Sequence, residues 1–67
     1  MIADSELPLP KLVKVFRAHY DLSQSQLAAL LSRTHMTISN WETGKKCNER
    51  EVRLLLKGLE GELCKRY

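Results

Sequence analysis

Leu9, Leu12, Val13, Phe16 and Tyr20 recur three or four residues apart, so they gather on one face of a helix. Pro10 suits the first turn of that helix, where its missing N–H is not needed. The spacing predicts a first helix over about Leu9 to His19, with Asp21 beginning a short turn. Ser23 followed by Gln26 is a capping-box signal, in which each side chain satisfies the backbone N–H of the other residue. Leu27, Ala28 and Leu31 form the inner face of a second helix over about Gln24 to Leu31. Thr34 is placed to cap a third, over about His35 to Thr43, with Ile38 and Trp41 turned inward and Gly44 suited to the left-handed stop. Asn48 with Glu51 repeats the capping signal, and Val52, Leu55, Leu56, Leu59 and Leu63 continue at helical spacing. A fourth helix is expected over about Glu49 to Glu60, weakened towards its end by Gly58 and Gly61, each costing about 1 kcal/mol relative to alanine, with Glu62 to Tyr67 left open between helix and coil.

No stretch alternates with period two for long enough to make a strand. The expected fold is all-α, a compact bundle of four to five short helices with a helix-turn-helix at its centre, about residues 23 to 43. Residues 1 to 9, with Asp4, Glu6 and Pro8 and no sustained period, read as a short, loosely ordered acidic arm. Residues 10 to 67 form the one domain.

Size and composition narrow the functional classes. A chain of 67 residues buries only about 60% of its unfolded surface, so stability is modest and a dimer partner helps. A net charge of +3 and a pI near 9.1 are compatible with nucleic acid without demanding it. Cys47 and Cys64 have no second pair, and neither His19 nor His35 stands at zinc-finger spacing from them. They read as reduced thiols in a cytoplasmic protein, and no metal or other cofactor is expected. No apolar run approaches the roughly 20 residues that span a bilayer, and no signal peptide is expected. No Ser or Cys has a His and an acid arranged around it by the expected helices, so an enzyme is not expected, nor is a small-molecule ligand.

Two short helices joined by a tight turn need a small residue on the first and large apolar residues on the second where they cross. Ala28 meets the first requirement; Ile38 and Trp41 meet the second. With these turned inward, His35, Met36, Ser39, Asn40 and Thr43 share the opposite side of the third helix. In a chain with 28% charged residues, a plain solvated face would carry Lys and Glu. This one is neutral, short and hydrogen-bonding, as suits base edges and thymine methyl groups in a major groove.

The run from Leu22 to Lys46, LSQSQLAALLSRTHMTISNWETGKK, resembles the Cro/repressor type of helix-turn-helix, the Xre family, whose fold is the lambda-repressor-like bundle. Leu22, Ser23, Gln24, Ala28, Ile38, Glu42, Gly44 and Lys45 carry the resemblance. It implies that Thr34, His35, Met36 and Asn40 face bases. It places Gln24 on a phosphate at the start of the second helix, aided by the free N–H groups and positive end there. It places Thr43, Lys45 and Lys46 on the backbone after the recognition helix. Ser23, Arg33, Thr37 and Ser39 are expected as further phosphate contacts, and Arg50 as a contact reaching towards the minor groove or as plain surface charge. It also implies a structural pair, Arg17 with Glu42, tying the first helix to the third, with a phosphate contact as the second role for Arg17. Ser32 stands where relatives carry Gly, Arg33 where they carry an apolar residue, and relatives often add a fifth, dimerising helix.

The function expected is therefore a sequence-specific regulator of transcription that binds double-stranded DNA. It is expected to act as a repressor, a homodimer on a palindromic operator, cytoplasmic and associated with the nucleoid. Leu54, Leu63 and Tyr67 are candidates for the dimer interface or for the core. The alternative is an antitoxin or adaptor that reuses the fold to hold another protein.

Overall fold

The computed structural model describes residues 2–66, with side chains through Lys65. Four α-helices follow a single 3-10 turn at Ile2–Asp4: α1 Leu9–His19, α2 Gln24–Leu30, α3 His35–Glu42 and α4 Glu49–Arg66. No strand occurs among the described residues.

Local chemistry sets where the helices start. Ser23 accepts a hydrogen bond from the Gln26 N–H at 3.0 Å, and the Gln26 side chain accepts one from the Ser23 N–H at 2.8 Å. Thr34 accepts from the Thr37 N–H at 3.4 Å, and Asn48 from the Glu51 N–H at 3.1 Å.

The stops share one device, used three times. After α1, α2 and α3 a residue with positive φ reverses the chain: Asp21 at 55°, Ser32 at 56° and Gly44 at 81°. The next N–H then reaches back to the last turn, from Leu22 to the Arg17 carbonyl at 2.8 Å, from Arg33 to Ala28 at 2.8 Å and from Lys45 to Asn40 at 3.0 Å. Each is a Schellman closure, which satisfies carbonyls that the helix end leaves open. Gly44 fills such a site without strain, whereas Asp21 and Ser32 fill it despite a Cβ.

The helices enclose a single core. Leu12, Val13 and Phe16 from α1, Leu27 from α2, Ile38 from α3 and Leu56 from α4 are fully buried, with Ala28, Leu31, Trp41, Val52 and Leu63 packed among them. Side chains of these kinds contribute about 1.5–3 kcal/mol each when fully buried.

Two expectations are corrected. The N-terminal segment is not a loose arm: Ala3 is buried in the core, and the N–H groups of Ile2 and Ala3 donate to Glu60 at 3.0 and 2.9 Å. Arg53 donates to the carbonyls of Ser5 and Leu7 at 3.1 and 2.7 Å, which straps the segment along α4. The second correction is the length of α4, which runs through Gly58 and Gly61 to Arg66. Burial of Leu63, together with the hydrogen bonds that Glu60 accepts from Ile2, Ala3 and Tyr20, offsets a propensity loss of about 1 kcal/mol per glycine. Leu63 thereby joins the core and leaves the set of interface candidates. Leu54 stays 62% exposed, and Tyr67 lies outside the described residues.

Candidate nucleic-acid interface

The connection from α2 to α3 is four residues, Leu31 to Thr34, and α2 packs directly on α3. Ala28 is 3% exposed in the core, and its carbonyl receives the Arg33 N–H that closes the turn. Ile38 and Trp41 face the core as expected, and Glu42 joins them at 7% exposure.

The buried Glu42 is paired. Arg17 Nε and Nη2 donate to its two carboxylate oxygens at 2.6 and 2.9 Å, while Nη1 donates to the Leu22 carbonyl at 3.2 Å. One guanidinium therefore ties α1 to the end of α3 and to the start of the helix-turn-helix. The hydrogen bond to Glu42 raises the Arg17 pKa, against the opposing effect of burial. Each of its three nitrogens donates within the fold, so Arg17 acts in the structure as a brace, although its side chain is still 24% exposed.

Turning Ile38, Trp41 and Glu42 inward sends the rest of α3 outward. His35 and Met36 are exposed, Ser39 and Asn40 are half-buried, and Thr43 is exposed at the C-terminal cap. Among the described residues, no hydrogen bond engages the side chains of His35 or Asn40. Both retain full donor and acceptor capacity towards an outside partner.

Other candidates are committed in part to the fold. The Thr34 hydroxyl caps α3 and lies 3.2 Å from that of Thr37, which is half-buried. Thr43 donates its hydroxyl to the carbonyls of Ser39 and Asn40 at 3.0 and 3.2 Å, leaving only lone pairs. Ser23 is occupied by the capping box, while Gln24, half-buried, begins α2. Arg33 is exposed and lies 3.8 Å from Glu51, an open contact that contributes little. Lys45, Lys46 and Arg50 are exposed on and just after the loop that follows α3.

One polar centre lies outside this set and has no counterpart in the expected site. Glu60 is 1% exposed and accepts hydrogen bonds from Ile2, Ala3 and the Tyr20 hydroxyl. Burial pushes its pKa up, but the three hydrogen bonds outweigh burial and hold it below the ordinary glutamate value. Partial burial and the contact with Glu60 push the Tyr20 hydroxyl up in turn. The signal in the sequence is a glutamate between Leu56 and Leu63 on the apolar stripe, where a solvated side chain does not belong. Cys47 and Cys64 are free and exposed.

Fold and surface together define a small all-helical protein built on a braced helix-turn-helix, with a neutral outer face on α3, where the His35 and Asn40 side chains make no internal hydrogen bond, and cations beside it. Compared with known proteins, the chain matches no family model, no curated protein and no solved structure. Among the described residues, no helix is long and apolar enough to cross a membrane.

Proposed function

We propose that the protein is a sequence-specific regulator of transcription of the Cro/repressor type, which lays α3 in the major groove of double-stranded DNA. The observation that carries this reading is the outward face of α3. His35, Met36 and Asn40 stand there without internal partners, on a helix held rigid by Ala28, Ile38, Trp41 and the Arg17–Glu42 pair.

Asn40 suits bidentate pairing with an adenine edge, His35 pairs with acceptors, and the Met36 side chain packs on thymine methyl groups. Thr34 adds its methyl group and a remaining lone pair at the start of the helix. Lys45 and Lys46, with Arg33 and Arg50, supply phosphate contacts around this face, and Gln24, Ser23, Thr37, Ser39 and Thr43 supply shorter polar ones. In this reading two copies bind half-sites about 10 base pairs apart on a palindromic operator and repress transcription from it in the cytoplasm.

Selection of bound duplexes from a random-sequence pool tests the proposal. It predicts enrichment of an inverted repeat whose half-sites each span about 4–6 base pairs, the reach of one recognition helix. Failure to enrich any sequence, with the protein folded by circular dichroism throughout the selection, overturns it.

A further inference from the structure

The solvent side of α4 has a pattern of its own. Glu51, Leu54, Gly58, Glu62 and Lys65 share that side, and all five are exposed. Their spacing reads three, four, four, three, and is therefore symmetric about Gly58. Leu54 is 62% exposed and Leu30 on α2 is 41% exposed, and with Leu55 and Leu59 they line a shallow apolar groove around Gly58. An alanine Cβ at Gly58 would meet nothing within 4 Å in the isolated chain, so no packing within the chain calls for glycine there.

We propose that this face is the contact between two copies of the chain, paired antiparallel along α4 with the two Gly58 residues at the twofold axis. The proposal rests on the reading of the protein as a dimeric DNA binder and names the surface that makes the dimer. The charges select a second copy as the occupant. Antiparallel pairing centred on Gly58 brings Glu51 of each copy opposite Lys65 of the other, at equal distances on either side of the axis. Parallel pairing sets glutamate beside glutamate.

Within one chain these two residues are only loosely engaged, Glu51 with Arg33 and Lys65 with Glu62, each at 3.8 Å. Both remain well exposed, at 60% and 76% of the side chain. Leu54 then seats over the Gly58–Glu62 stretch of the other copy, beside its Leu59. The absence of a side chain at Gly58 lets the two helices approach closely, as small residues do at close helix crossings. A helix of 18 residues offers a strip about 27 Å long, too small for an obligate dimer. The association is reversible, and binding of both copies to one duplex strengthens it by raising their effective concentration.

Sedimentation velocity over a concentration series, without DNA, tests the surface. The wild-type chain is expected to shift from monomer to dimer as concentration rises. Leu54→Lys and Gly58→Gln each weaken the dimer about tenfold or more, as expected of residues at the centre of a small interface. Gly58→Gln does so while the melting temperature of the monomer stays equal or rises, because glutamine favours helix.

Glu51→Lys and Lys65→Glu each weaken self-association about two- to fivefold, in keeping with exposed ion pairs. An equimolar mixture of those two variants recovers wild-type affinity, since both cross-pairs are restored in the mixed dimer. A wild-type chain that stays monomeric throughout overturns the proposal. So does a dimer indifferent to both Leu54→Lys and Gly58→Gln, or a mixture no tighter than either charge variant alone. A monomer that still selects a DNA sequence removes only this surface, whereas a dimer with these properties that selects none removes only the DNA-binding reading.

Discussion

Ser32 ends α2 in the left-handed region, at φ 56°, where its Cβ crowds the backbone and where glycine would stand without cost. Its N–H and that of Arg33 close the helix onto Ala29 and Ala28, so the conformation is set by the turn, not chosen by the serine. Ser32→Gly is expected to stabilise the protein by about 0.5–1 kcal/mol in urea denaturation, the relief of strain exceeding the added freedom of the unfolded chain. Arg17 presents the opposite case, since removing it leaves the buried Glu42 carboxyl without its partner. Arg17→Ala is expected to cost about 3 kcal/mol by the same measurement, far more than loss of an exposed ion pair.

Glu60 adds a pH dependence. Its pKa is held down in the folded protein, so its stabilisation is present above the unfolded value of about 4.3 and is lost as pH falls through the lower, folded value. Glu60→Gln is expected to cost about 1–3 kcal/mol at pH 7 and to flatten the loss of stability on acidification below about pH 4, measured by urea denaturation across pH. The Arg17–Glu42 pair was legible through the resemblance of the whole Leu22–Lys46 run. Glu60 was legible only as a charge on the apolar stripe of α4, because its partners, two backbone N–H groups 58 and 57 residues away and the Tyr20 hydroxyl 40 residues away, have no local pattern to announce them.

At the scale of elements, starts were more legible than the last stop. Ser23–Gln26, Thr34 and Asn48–Glu51 begin α2, α3 and α4 where the sequence places them, because a cap is a contact between near neighbours. Gly44 likewise marks the end of α3. The end of α4 depends instead on long-range packing of Leu63 and Glu60 against distant parts of the chain, which overrides two unfavourable glycines. The N-terminal segment followed the same logic, its polarity suggesting an arm while Ala3 and the two N–H groups found a place against α4. The core leaves little room at Ala28, which is 3% exposed. Ala28→Leu is expected to destabilise the protein by about 1–3 kcal/mol and to loosen the orientation of α3.

For the molecule as a whole, the proposed division between reading bases and gripping phosphate predicts contrasting outcomes. Asn40→Ala is expected to weaken binding to the selected duplex by about 1–3 kcal/mol and to relax preference at one base pair. Lys45→Ala is expected to weaken all sequences alike and to lower the salt slope by about one. Fluorescence anisotropy over a salt series measures both. The net charge of +3 is modest, so the account relies on cations placed beside a neutral face, not on bulk attraction.

The location of that face is tested most directly by titrating the isotope-labelled protein with a duplex of about 20 base pairs and following its backbone and side-chain amide resonances at low salt. The account predicts the largest shifts at Thr34, His35, Met36 and Asn40, with the Asn40 side-chain amide among them, and smaller ones at Gln24, Thr43, Lys45 and Lys46. No shift at any DNA concentration, or shifts gathered away from the α2–α3 unit, would contradict it.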